Sequence, residues 1–293
     1  MGSENKSSAS IAEMILEGAQ ILRRAGISEA RREAGSLLQY VIGRDQTFII
    51  THAEVSISDE ECEVYRRFAE RRAAGEPLQY ITARQEFFGL EFEVTTDVLI
   101  PRPETELLVE AALNLMERIP APFICDVGTG SGCIPISLLH QNRNASAIGI
   151  DLSEAAIRVA QRNASRHGVT DRLSLVVADC FSAFSDSGKR FDLIVSNPPY
   201  VADSAMNGLQ REVRDHEPHL ALRAGPDGLS IIRRLLSESA PCLKTNGQLL
   251  FEIGFDQGAA VEHLIDLDVW QLVEIQQDLQ GIPRLVALQK IAS

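Results

Sequence analysis

The chain has 293 residues, 45% of them hydrophobic, and a formal charge of −13, which is enough material for two domains with real cores. No apolar run is long enough to span a membrane, and the Ser-rich, charged stretch Met1 to Ser10 lacks the apolar segment of a secretory signal, so the protein is expected in the cytoplasm. Five scattered cysteines (Cys62, Cys125, Cys133, Cys180 and Cys242) show no Cys-x-x-Cys spacing, which argues against both a disulfide framework and a zinc site.

The first 80 residues read as helical. Ile11, Met14, Ile15, Ala19 and Leu22 recur at helical spacing, and Gly26 supplies a stop. Ser28 is expected to cap a second helix carrying Leu37, Leu38 and Val41, and Ser58-Asp59-Glu60-Glu61 opens a third with acids at its positive end. The third helix carries Arg66, Arg67, Arg71 and Arg72, which form either a solvated face or a docking surface for a protein partner. Residues Phe87 to Val94 alternate around Gly89 and predict a β-hairpin. Three segments follow: a helical domain over 1–78, a hairpin linker over 79–101 and a larger domain over 102–293.

Beyond Arg102 the pattern alternates. Strands are predicted near 123–127, 147–151, 173–178, 191–196, 248–253, 270–276 and 284–290, with helices near 104–117, 133–141, 154–167, 228–241 and 256–266. Such alternation predicts an α/β domain whose mainly parallel sheet is covered on both faces, with ligands beyond the carboxyl ends of the strands.

Motifs fall at those strand ends. The run Phe123 to Val127 leads into Gly128-Thr129-Gly130-Ser131-Gly132 and then an apolar helix, a layout in which glycines admit a ligand close to the backbone and the helix N-terminus offers donors. The spacing is neither the dinucleotide fingerprint nor a Walker loop, so a diphosphate is disfavoured. The next strand ends in Asp151, placed either to take two ribose hydroxyls or to cap the following helix. Strand 191–196 ends in Asn197-Pro198-Pro199-Tyr200. Two prolines fix φ and remove two donors, Asn197 offers an acceptor oxygen and Tyr200 a flat face. That set suits gripping a planar NH2 group whose delocalised lone pair must be aimed at an electrophile; a plain strand-ending turn is the other reading.

Glycine loop, acid and Asn-Pro-Pro-Tyr in this order resemble the S-adenosylmethionine-dependent amino-methyltransferases with a Rossmann-like fold. From Pro77 onward the likeness is more specific. Pro77-Leu78-Gln79-Tyr80-Ile81-Thr82, Glu86 to Phe92, Val98-Leu99-Ile100-Pro101-Arg102-Pro103-Glu104-Thr105-Glu106-Leu107 and Glu217-Pro218-His219-Leu220-Ala221-Leu222 are similar to blocks of the protein-glutamine methyltransferases that modify peptide-chain release factors. The chain departs from that family at Ala83, where glycine is usual, at Thr95-Thr96-Asp97, and at Gly281-Ile282-Pro283-Arg284.

The resemblance implies S-adenosyl-L-methionine as cofactor, an antiparallel last strand, and Asp179 beside the adenine with Cys180 or Phe181 against its ring. It implies a class I release factor as protein substrate, methylated on the glutamine of its Gly-Gly-Gln loop. Asn197 and the Pro198 carbonyl would accept the two amide hydrogens while Tyr200 packs on the amide plane, and Arg102 and Glu104 would order the neighbouring loop. His216 and His219 share an acidic loop but methyl transfer needs no metal. The alternatives are methylation of a ribosomal-protein glutamine, methylation of adenine in nucleic acid, and a non-catalytic module that retains the cofactor. Residues 1–85 hold 11 of the 28 Lys/Arg and 13 of the 41 Asp/Glu, leaving the catalytic region near −11, which argues against a long nucleic acid. The enzyme is expected to act as a monomer.

Overall fold

The computed structural model describes residues 9–184, 188 and 190–291, so most of the Ser-rich start lies outside the described residues. It divides into two compact units, one formed by the described residues up to Ala83 with Arg211–His216, the other by Arg84–Gln210 and the residues from Glu217 onward.

The first unit is helical. Helix α1 (Ile11–Arg24) opens on a capping box in which Ser10 and Glu13 each satisfy the other's backbone N–H. Helix α2 (Ala30–Ile42) has Glu29 at its N-cap with no side-chain bond, so Ser28 does not cap it; the first turn starts one residue beyond the serine's reach. Gly43, left-handed at φ 62°, ends the helix. A short helix that sequence periodicity did not reveal, α3 (Gln46–Thr51), is capped by Asp45. Helix α4 (Asp59–Ala73) begins with the expected Ser58 and its reciprocal Glu61. Helix α5 (Leu78–Thr82) closes the unit at Ala83, which adopts φ 53°, the left-handed conformation glycine favours. Ile11, Met14, Leu37, Leu38, Cys62 and Tyr65 form the core.

The α4 arginines are not one solvated face. Arg72 is 4% exposed and sits between Glu33 of α2 and Glu212 of the short helix Arg211–His216. Arg66 pairs with Glu17 and Arg71 with Glu76. Burial of a charge is tolerated when partners saturate it, and Arg72 has two carboxylates.

The second unit starts with the hairpin β1 (Arg84–Phe87) and β2 (Leu90–Glu93). Its two-residue turn has positive φ at both Phe88 and Gly89, the twist that matches antiparallel strands. Phe87 and Phe92 are buried in the same core cluster as Leu108 and Val109, which makes the hairpin part of this unit. Next come α6 (Glu106–Met116), β3 (Phe123–Val127), α7 (Cys133–Gln141), β4 (Ser146–Asp151), α8 (Glu154–Arg166), β5 (Leu173–Val177) and β6 (Phe191–Ser196). After α9 (Arg211–His216, already described) follow α10 (Ser230–Glu238), β7 (Leu243–Glu252), α11 (Gly258–Glu262), β8 (Trp270–Gln277) and β9 (Pro283–Lys290).

These strands make a seven-stranded sheet in the order β5-β4-β3-β6-β7-β9-β8. Strands β3 to β7 are parallel, and β9 inserts antiparallel between β7 and β8. Apolar clusters cover both faces: one gathers Ile194, Phe251, Ile232 and Trp270, the other Ile124, Leu193, Val195 and Leu138. The sheet therefore has the architecture the alternating pattern predicts. Three elements differ from their predicted bounds by three residues or more at one end, among them α10, which ends at Glu238 rather than near 241. Strand β7 begins at Leu243, five residues early, because Lys244 to Gly247, turn-like in composition, is absorbed as an irregularity against β6 with Asn246 at φ 61°. Helix α11 spans only Gly258–Glu262 of the predicted 256–266.

The two other family departures have local explanations. Thr95 accepts from the Asp97 N–H, a side-chain turn that does without proline. Asp278 accepts from the N–H groups of Gln280 and Ile282 and from Arg284 Nε, which holds the turn before Pro283. Pro283 is the first residue of β9, where a missing N–H is tolerated.

Candidate active site

The carboxyl ends of β3, β4, β5 and β6 open on one cavity of about 340 Å³. Its wall includes Gly128, Thr129, Gly130 and Ser131 from the loop after β3, Asp151 at the end of β4, Asp179 and Cys180 after β5, and Asn197, Pro198 and Pro199 after β6. Parallel neighbours in register bring these four loops to one level.

The glycine loop is held from beneath. The N–H groups of Gly128 and Thr129 both donate to the Ile150 carbonyl, at 2.9 and 2.8 Å. The Gly130 N–H donates to Asp151 Oδ2 at 2.9 Å, and Asp151 Oδ1 accepts from the Ser153 N–H at 2.9 Å. Asp151 thus ties the loop to its own strand end, while Ser153 is the residue that caps α8 by accepting from Ala156. Burial raises the Asp151 carboxyl above the usual carboxylate range against the pull of those backbone donors. Gly130 has φ 54° and nothing within 4 Å of where a Cβ would stand, so the loop leaves room for a ligand against its backbone.

Gly132 does different work. It has φ 80°, it is the N-cap of α7, and a Cβ there would lie 2.8 Å from Ile136 and 3.2 Å from Ala160. It permits α7 to pack on α8 and is not part of the cavity wall.

Directly behind the loop Asp126 is fully buried, and neither carboxyl oxygen has a hydrogen bond of regular geometry among the described residues. Burial pushes it up to about 7, with the nearby Thr129 hydroxyl opposing the shift and the Asp151 charge adding to it. The Thr129 hydroxyl is likewise buried, beside Asp126, with no hydrogen bond of regular geometry among the described residues.

At the β6 end Ser196 donates its hydroxyl to the Val127 carbonyl at 2.7 Å, locking the start of the Asn-Pro-Pro-Tyr segment to β3. Asn197 Nδ2 donates to Thr105 Oγ1 at 2.9 Å. Tyr200 is half-buried and outside the cavity wall; its carbonyl accepts from Gln257 Nε2 at 3.1 Å, and burial pushes its phenol up to about 12. On the other side Asp179 Oδ1 pairs with Arg234 at 2.6 Å. Cys180, at φ 47°, faces the cavity, whereas Phe181 is turned into the core with Phe184 and Phe191 and does not line it.

Two supporting residues stand outside the strand-end motifs, Asn163 in a helix and Glu217 in a loop. Asn163 in α8 is fully buried; its Nδ2 donates to the carbonyls of Ser131 and Glu93 and its Oδ1 accepts from the Glu93 N–H. It joins the glycine loop to the hairpin. Glu217 is buried, accepts from the Ile100 N–H and pairs with Arg102, which orders the loop that carries Arg102 along the cavity. Nothing in an alternating strand-helix reading distinguishes these residues; their burial does.

The donor set fits an S-adenosyl nucleoside. The glycine loop leaves open backbone, and acids stand at two successive strand ends.

Comparison with known proteins agrees along the whole chain. Residues 13–82 match the family described as PrmC N-terminal domain, and residues 104–221 the family described as Methyltransferase small domain. A release factor glutamine methyltransferase of Nitratidesulfovibrio vulgaris is 37% identical, covering 98% of this chain and 97% of that protein. Its counterparts in Koribacter versatilis and Cereibacter sphaeroides are 40% and 41% identical, over 93% and 91% of this chain and 95% and 93% of theirs. Among solved structures, the hMettl16 catalytic domain in complex with MAT2A 3'UTR hairpin 6 superposes with a TM-score of 0.56 at 16% identity, covering 87% of this chain and 92% of that one. A methyltransferase from Pyrococcus furiosus superposes at 0.50 and 14%, over 80% and 100%. At such identities the structural likeness speaks for the fold alone.

Proposed function

Because this chain belongs to the release factor glutamine methyltransferases, we propose that it methylates the side-chain amide nitrogen of the Gly-Gly-Gln glutamine in class I peptide chain release factors, drawing the methyl group from S-adenosyl-L-methionine. The observation that carries this reading is the union, in one cavity, of an open glycine loop, Asp151 and the Asn197-Pro198-Pro199 segment.

The Gly128–Ser131 backbone and Asp151 would hold the methionine and ribose parts of the cofactor, with Asp179 and Cys180 beside the base. When bound, the cofactor supplies a methyl group activated by its sulfonium. The remaining work is alignment. Asn197 Oδ1 and the Pro198 carbonyl accept the two hydrogens of the substrate amide, which holds its nitrogen lone pair toward the methyl group. Pro198 and Pro199 cannot compete for those acceptors, since neither has an N–H. Tyr200, which follows the cavity-lining Pro199, would pack on the substrate amide. With the methyl group already activated, no strong base on this chain would be needed beforehand, and the proton displaced from the substrate nitrogen would pass to water.

The helical unit would recognise the protein substrate, and the acidic catalytic region disfavours nucleic acid. Among the described residues no helix is long and apolar enough to cross a membrane. A substrate that serves translation assigns the enzyme to the cytoplasm, acting as a monomer.

The test is transfer of labelled methyl to purified release factor, beside a factor whose Gly-Gly-Gln glutamine is replaced and beside DNA. Label on the wild-type factor alone supports the reading. Label on DNA, or on the glutamine-replaced factor, sinks it.

A further inference from the structure

Asn197 has a geometric problem that its own motif does not solve. An asparagine amide carries an acceptor at one end and a donor at the other, and the two orientations differ by a half-turn about one bond. Only the orientation with Oδ1 toward the cavity can accept from an NH2 group; the other presents a donor to a donor.

The structure contains a chain of hydrogen bonds that decides between them. Glu252 is the last residue of β7, one strand over from Asn197, with Phe251 level with Ser196. Thr105 stands in the turn that precedes α6. The Thr105 hydroxyl donates to Glu252 Oε2 at 2.7 Å and accepts from Asn197 Nδ2 at 2.9 Å. Thr105 is 2% exposed and Glu252 3%, so water does not offer either an alternative.

A hydroxyl has one hydrogen. Where the carboxylate takes it, Thr105 can only accept from its other neighbour, and only the NH2 end of Asn197 can donate. We propose that Glu252, acting through Thr105, is a positioning residue that fixes which end of the Asn197 amide faces the substrate. The inference rests on the reading of Asn197 as the grip on the substrate amide.

The chain's polarity depends on Glu252 being ionised. Protonated, Glu252 can donate to Thr105, which can then donate to Asn197 Oδ1, and the preference for the productive orientation is lost. The charged groups facing Glu252 are Arg102 and Glu104 from the loop before α6 and Arg284 from β9, with the Tyr200 phenol beside them. The two arginines favour the carboxylate, but burial outweighs them and pushes Glu252 up to about 7. Glu252 therefore titrates where enzyme assays are run, while Tyr200, pushed up to about 12, does not.

The experiment compares wild type with Thr105→Val, Thr105→Ser and Glu252→Gln, measuring kcat and KM for release factor from pH 6 to 9 and cofactor affinity by calorimetry. Thr105→Val and Glu252→Gln should lower kcat about 10- to 100-fold at pH 8, with KM and cofactor affinity within about threefold of wild type, as expected for an interaction used in the transition state. Thr105→Ser, which keeps the hydroxyl, should restore most of kcat. Wild-type kcat should fall on the acid side of about pH 7, and Glu252→Gln should abolish that limb. A wild-type kcat in Thr105→Val, a failure of Thr105→Ser to rescue, or an acid limb retained in Glu252→Gln would each overturn the proposal. If wild type itself fails to label the glutamine, the proposed function fails instead, so the two failures are separable.

Discussion

Asn197 and Asp126 show how differently two polar residues at adjacent strand ends can be used. Asn197 is placed by Thr105 and lines the cavity, so its substitution should strike transfer and spare binding. Asn197→Ala is expected to lower kcat by at least about 10²-fold, the scale of removing one well-placed polar group from a transition state, with cofactor affinity changed by less than about threefold. Radiolabel transfer and calorimetry on the same preparation check both halves. Asp126 is a stability matter. Its folded value is raised to about 7, so between about pH 4 and pH 7 the native state keeps a proton the unfolded chain releases. Native stability contributed by this group is thus fully present at low pH and is lost as pH rises through 7. Asp126→Asn has no such proton, so its stability relative to wild type should rise by about 2–3 kcal/mol between pH 5 and pH 8, at about 1.4 kcal/mol per pH unit. Urea unfolding of both proteins at the two pH values measures it; a constant difference would mean that Asp126 is not buried as described. The Gly128–Gly132 loop, Asp151 and Asn197 were legible as residues because glycine loop, acid and Asn-Pro-Pro-Tyr follow successive strand ends in one order, although each type is ordinary at a strand end. Asn163 and Glu252 were not marked out, because a polar residue inside a helix or strand pattern looks like any solvent-facing one until its partners are known, and Thr105 and Glu217 stood in the family blocks without a role of their own.

At the scale of elements, local rules worked where the cause is local. The capping boxes at Ser10 and Ser58 and the two-residue hairpin turn at Phe88-Gly89 are decided within four residues of chain. Ser28 failed as a cap because α2 starts one residue later, with Glu29 at its N-cap and no side-chain bond there. Strand β7 begins five residues before its expected start because Lys244 to Gly247 is absorbed as an irregularity in the pairing with β6. Ala83 lies between these cases. The αL end of α5 forces φ 53° on a residue with a Cβ, at a cost of about 1 kcal/mol relative to glycine in the folded state and a smaller opposite effect in the unfolded chain. Ala83→Gly is therefore expected to stabilise the protein by about 0.5 kcal/mol, read from the urea midpoint at constant slope. A destabilised variant would show that the unfolded-state entropy dominates here.

At the scale of the whole molecule, charge and sheet order matter most. The formal charge is −13, most of it in the catalytic region. A polyanion should therefore be held off, since binding a phosphate backbone requires neutralising cations. A fluorescent single-stranded DNA of about 30 nucleotides should show no anisotropy change at micromolar protein and 0.15 M salt, whereas release factor under the same conditions is methylated; micromolar DNA binding would revive the adenine reading. The sequence by itself determined the alternation of strands and helices, the placement of the glycine loop, Asp151 and Asn197 at strand ends, and the family blocks from Pro77 onward, because each is carried by residue type and short-range periodicity. Only the tertiary structure decided that Phe181 and Gly132 serve the core rather than the cavity, that Arg72 is enclosed by Glu33 and Glu212, and that Glu252 reaches Asn197 through Thr105. The last two outcomes depend on residues 39 to 147 positions apart meeting in a low-dielectric interior, where an unpaired polar group is costly, and separation of that kind leaves no periodic trace in the chain.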